Sequence, residues 1–192
     1  MHFRETGLPG AFLIELDLRS DRRGHFARTW CRDEFARHGL NTRVAQCSVS
    51  FNLRRGTLRG LHWQAAPHVE AKLVRCTRGA IYDVVVDLRP TSPAHGRWFA
   101  VELTPDNHRQ LYIPEGCAHG FQTLEDHSEV SYVISEDYHP ESSRGAMLDA
   151  MKQAAEAWKE AAAGPAKDSL ADACKAALDA ARDATKAMGC VW

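Results

Sequence analysis

Apolar residues in the first three quarters of the chain come in short runs rich in β-branched and aromatic side chains. "KLVRC", "AIYDVVVDL", "RWFAVEL", "RQLYIP" and "EVSYVIS" are each of strand length. Turn-forming segments separate them: "TRGA", "RPTSPAHG", "TPDNH", "PEGCAHG" and "LEDHS". Many short strands at this spacing predict a mainly β domain, an antiparallel jelly roll or barrel, over residues 1–145. A single short helix fits at "CRDEFARHG", with Asp33 and Glu34 near its start and Gly39 at its end.

After Arg144 the pattern changes. "AMLDAMKQAAEAWKEAAAG" and "DSLADACKAALDAARDATKAMG" are rich in Ala, Lys, Glu and Leu, and Leu170, Cys174, Ala177, Leu178 and Ala181 recur at helical spacing. "GPAKD" between them supplies a stop, a turn and an Asp168 N-cap. Residues 146–192 are therefore expected to form an α-helical hairpin appended to the β domain.

Composition narrows the function classes. Lys+Arg 24 against Asp+Glu 25 gives a net charge of -1, which speaks against a broad nucleic-acid-binding face but permits a local basic pocket. No apolar run is long enough to span a membrane. "MHFRETGLPG" lacks the apolar core of a signal peptide, so the cytoplasm is the expected location. The six cysteines, Cys31, Cys47, Cys76, Cys117, Cys174 and Cys190, contain no C-x-x-C pair and favour neither structural zinc nor a disulfide framework.

Candidate chemistry concentrates in "RRGTLRGLHWQ", where three arginines and His62 share eleven residues. Regular alternation would send Arg59 and His62 to different faces, whereas a bulge at Gly60 would bring them to one cavity. "IPEGCAHGF" has the P-x-G-x-x-H spacing of a cupin-type turn, which delivers His119 to a barrel mouth. A metal cupin would also offer an H-x-H pair, but here the place reads His62-Trp63-Gln64. His62, His68, His119 and Glu70 remain an improvised alternative, although no metal is the expectation. Tyr132 is either a packing residue or, if its hydroxyl faces His62 across a substrate, an acid opposite a base. Lys72 and Asp83 need each other or a polar ligand if buried, and Arg23 in "DRRGHF" is a further candidate for phosphate.

Together the strings "DRRGHF", "RGTLRGLHWQ", "KLVRCTRGAIYDVVVDLRPTSPAHGRW", "QLYIPEGCAHGF" and "EVSYVISEDYHPESSRG" resemble the dTDP-4-dehydrorhamnose 3,5-epimerase family over about residues 20–145. The resemblance implies a cupin-like jelly roll, a homodimer, no metal or redox cofactor, and a nucleotide-linked 4-keto-6-deoxy sugar as substrate. It implies that His62 is the base and Tyr132 the opposing acid, with Lys72 and His119 contacting the sugar or enolate and Asp83 orienting one of them. Arg23 and Arg59 would clamp the pyrophosphate, Gln46 would line the nucleotide end, and Tyr138 would stack on the base. The chain departs from the family pattern at Arg28, Ser48 and Ser143, where the family has Glu, Asn and Glu in ligand-binding positions. Its tail also lacks the family's Ser-x-Lys-Asp segment, whose Asp supports the catalytic His. A catalytically weak sugar-nucleotide binding module is therefore the alternative to an active epimerase.

Overall fold

In the computed structural model, residues 1–145 are described, and their strands assemble into two facing antiparallel sheets and one separate two-stranded hairpin. The N-terminal part supplies β1 (His2–Glu5), β2 (Phe12–Glu15), the hairpin β3 (Arg19–Asp21) and β4 (Gly24–Phe26), and helix α1 (Arg32–Arg37). Then follow β5 (Gln46–Asn52), β6 (Leu58–Gln64), β7 (Lys72–Arg78), β8 (Ile81–Asp87) and β9 (Trp98–Leu103). The last four are β10 (Arg109–Ile113), β11 (Cys117–Thr123), β12 (Ser128–Ile134) and β13 (Ser143–Gly145). One sheet has the order β1-β2-β10-β7-β12-β5, the other β13-β6-β11-β8-β9. The jelly-roll expectation holds for this region, and the helical hairpin expected at 146–192 lies outside the described residues.

The period-two pattern explains which side chains meet. Leu13, Val74, Cys76, Leu111 and Val130 of the first sheet pack against Ile81, Val85, Leu103, Cys117 and Phe121 of the second, and all are buried. The outer face of the six-stranded sheet is closed by α1, whose Phe35 inserts between Ile14, Leu73 and Tyr112. Among the described residues no helix is long and apolar enough to cross a membrane.

One segment differs from the sequence expectation. "CAHGF" reads as part of a turn, yet Cys117–Thr123 is a strand, paired to β6 on one side and β8 on the other. All seven of its residues are buried. A strand covered on both faces needs no alternation of polar and apolar residues, so the pattern that marks half-exposed strands is missing here. Lys72 and Asp83, on strands consecutive in the chain, belong to opposite sheets.

Candidate active site

The bulge expected at Gly60 is present. Along β11, His119 pairs with His62 while Phe121, two residues on, pairs with Arg59, so β6 carries one extra residue between them. Arg59 and His62 thereby share the inner face with His119. Only glycine fits: Gly60 has φ +107°, and a Cβ there would lie 2.6 Å from both the Gly120 Cα and the His119 carbonyl oxygen.

His119 is 4% exposed, and its Nε2 lies 2.7 Å from Oδ1 of the fully buried Asp83. The other carboxylate oxygen, Oδ2, is buried without a hydrogen-bond partner. Burial pushes the Asp83 carboxyl above its ordinary value, against the opposing pull of His119 and Lys72. An imidazole tied to a carboxylate through Nε2 leaves Nδ1 for a ligand.

From the other sheet come Tyr132 and Lys72. Tyr132 pairs with Val74 and Ser48 on the inner face, its ring 6.0 Å from that of His119 in an edge-on arrangement. Burial first, then the nearby Asp83 charge, pushes its phenol far up, so the protonated form dominates at any physiological pH. The Lys72 ammonium lies 2.8 Å from Glu70 and 3.4 Å from the His62 carbonyl. His62 remains open to solvent at the rim. Desolvation by the surrounding protein, followed by repulsion from Lys72, His119 and Arg59, pushes its imidazole below the ordinary value of 6.5. The His62 imidazole is thus mostly neutral at neutral pH. No carboxylate of the described residues hydrogen-bonds its ring, and Asp168 lies outside them.

Gln46 and Ser48 share the inner face of edge strand β5 with Tyr132, opposite Ile134 and Tyr132 respectively. Arg59 is steadied by Asn52, whose Oδ1 accepts from Nε at 2.6 Å. Asn52 escapes sequence reasoning because no local pattern marks it, and only pairing with Ser128 reveals it as a buried strand residue. Two expected ligand groups stand apart. Arg23, 83% exposed, ion-pairs with Asp21 on the β3–β4 hairpin, and Tyr138, in the segment before β13, is 63% exposed. Of the ligand-pattern departures, Arg28 ion-pairs with Glu34 and Ser143 pairs with Gln64 on β6.

His68 does not join His62, His119 and Glu70. Its ring stacks on His139 at 3.5 Å and 7°, and with Glu141 these form the group of metal-capable side chains found among the described residues. The ligand atoms of the three lie within 4.8 Å of one another.

What the two inner faces offer is a neutral imidazole and a carboxylate-tied imidazole from one sheet, and a protonated phenol and an ammonium from the other. Such a set can remove a proton from carbon on one face and deliver another to the opposite face.

The chain's relatives agree with this chemistry. A profile described as dTDP-4-dehydrorhamnose 3,5-epimerase matches residues 5–176, starting before and running beyond the 20–145 limits of the sequence resemblance. The enzyme of that name from Methanothermobacter thermautotrophicus is 44% identical over 147 residues, 77% of this chain and 78% of the relative. A crystal structure of the Bacillus anthracis enzyme with TDP and PPi bound superposes with TM-score 0.74 at 39% identity, covering 77% of this chain and 85% of that one. A 3'-monoepimerase from Streptomyces bikiniensis in complex with dTDP-quinovose is 28% identical with TM-score 0.69, covering 95% of this chain and 96% of that one. On the strength of the profile match and the identity over most of its length, the chain belongs to the dTDP-4-dehydrorhamnose 3,5-epimerase family.

Proposed function

We propose that this epimerase acts on a thymidine diphosphate-linked 4-keto-6-deoxy sugar, inverting a carbon next to the ketone without a cofactor. The observation that carries the proposal is the placement of His62 and Tyr132 on the inner faces of facing sheets, with the Lys72 ammonium near the His62 strand. His62 takes the α-proton, and the electron pair of the broken C–H bond flows onto the keto oxygen as an enolate. Lys72 and the Nδ1 side of His119 stabilise that negative charge where it develops, which is where electrostatic catalysis acts most strongly. Tyr132 then donates its proton to the opposite face of the same carbon, and solvent restores the phenol and the free imidazole. Arg59, presented beside His62 by the bulge, binds a phosphate, while Gln46 and Ser48 line the nucleotide end. Binding energy gathered on the diphosphate fixes the sugar for chemistry a few ångströms away.

The protein is read as a homodimer. Edge strand β5 presents Val49 (62% exposed) and Phe51 (44%), Leu53 just beyond it is 64% exposed, and Phe26 on the β3–β4 hairpin is 71% exposed. An apolar sheet edge of this kind favours association. A second subunit is also the means by which an exposed hairpin bearing an arginine would be put to use on a ligand.

Incubating the protein with dTDP-4-keto-6-deoxyglucose in D2O and reading the sugar by mass spectrometry and NMR tests the function. One or two deuterons at carbons flanking the ketone are expected, their number telling whether C3 alone or both C3 and C5 react. Tight dTDP binding with no exchange would make the protein a sugar-nucleotide binding module, the reading favoured by the lack of a carboxylate on His62 among the described residues.

A further inference from the structure

Lys72 sits on the inner face of β7 with 9% of its surface exposed. A buried ammonium needs a counter-charge or several acceptors to offset its lost hydration. The His62 carbonyl, at 3.4 Å, is a weak acceptor. The counter-charge comes from Glu70, two residues earlier, at 2.8 Å; each of the two side chains is 11% exposed. Glu70 stands in the segment that leaves the His62 strand and enters β7. Its backbone is held firmly there, because the next residue, Ala71, donates to the Ser135 hydroxyl at 2.8 Å and accepts from the Ser135 N–H at 3.0 Å. Lysine is a point charge on a flexible four-carbon stem, so without a fixed partner its ammonium would sample several positions.

Resting on the function proposed above, we propose that Glu70 is a positioning residue of this site: its carboxylate holds the Lys72 ammonium beside the His62 end of β6, where enolate charge develops. Glu70 also balances the charge around the base. His62 faces Lys72 from β7, His119 from β11 and Arg59 from its own strand, all disfavouring its protonated form, and Glu70 opposes them. On the remaining side, β13 sets Gly145 opposite His62 and adds no charged side chain at that position.

The test compares the full-length wild type with Glu70→Ala and Glu70→Gln. Three quantities are measured: exchange kinetics on dTDP-4-keto-6-deoxyglucose against pH, the His62 imidazole titration by NMR, and dTDP affinity by calorimetry. Glu70→Ala should lower kcat about tenfold or more, with KM and dTDP affinity within about twofold, as for an interaction expressed in the transition state. Glu70→Gln retains an oxygen that accepts from the ammonium, so its kcat should stay within about threefold of wild type. Both variants should titrate His62 at lower pH than wild type, because the anion supporting the imidazolium is gone, and the acid limb of the rate profile should move with it. Wild-type kcat in Glu70→Ala, or a His62 titration unmoved in both variants, overturns the proposal. If thermal melting shows Glu70→Ala unfolded, the His62 titration of Glu70→Gln decides alone. A wild type that binds dTDP but never exchanges deuterium sinks the epimerase reading instead, and the titration still reports whether Glu70 is coupled to His62.

Discussion

His119 and Asp83, on neighbouring strands of the five-stranded sheet, form a 2.7 Å hydrogen bond almost wholly shut off from solvent. The bond fixes the ring but strands the second carboxylate oxygen. That is a stability cost located at the site. Asp83→Asn keeps the shape, removes the buried charge beside His119, and can reverse the direction of the hydrogen bond. Exchange should fall about 10–100-fold. The melting temperature should hold or rise, since a buried carboxylate has been neutralised. An unchanged rate would show that His119 orientation is irrelevant to catalysis.

Tyr132→Phe separates removal of the proton from its return. The variant should still wash deuterium into the substrate through His62, while inverted product forms about 10²-fold more slowly. Wild-type epimerisation by the variant would assign the acid to another group or to water.

The exchange rate should follow the neutral form of His62. Its imidazole lies below 6.5 in the folded protein, so the rate should be level at neutral pH and fall on acidification below the ordinary histidine value. The same shift affects stability. The unfolded chain takes up this proton near the ordinary value and the folded chain only at lower pH, so stability is lost as pH falls from about 6.5 towards the folded value. Melting curves of wild type and His62→Gln at neutral and mildly acidic pH test this: the substitution should reduce the acid-induced fall in Tm. Equal falls in the two proteins would remove His62 from the linkage.

Gly60→Ala should be among the most damaging small substitutions in the sheet. The added methyl meets the His119–Gly120 backbone of β11 at 2.6 Å, and the residue would have to hold φ +107°. Backbone strain of this kind costs on the order of 1–3 kcal/mol before any steric term. For a chain of this size that lowers Tm by roughly 2–12 °C. Exchange should fall as well, because relaxing the bulge turns Arg59 and His62 away from a common face. A variant with wild-type Tm and activity would contradict the role given to the bulge.

Much of this protein was decided locally. Runs such as "AIYDVVVDL" and "EVSYVIS" became β8 and β12 because their side chains suit a pleated, half-buried surface, and "CRDEFARHG" became a helix ended at Gly39. The same strings carry His62, Tyr132, Lys72, Asp83 and His119, so the residues of the candidate site were legible as candidates before any fold was known. What local sequence does not encode is which strands face each other. Cys117–Thr123 became a strand because two neighbours pair with it and two layers bury it, conditions that do not exist in an isolated segment. Asp83 met His119 because β8 lies beside β11 in one sheet. Lys72, though close to Asp83 in the chain, went to the opposite sheet and found Glu70 as its counter-ion. Residue types set which chemistry was available, since proton affinity and charge belong to side chains. Pairing and burial, which join residues tens of positions apart, decided which groups share the cavity and in which protonation state they stand.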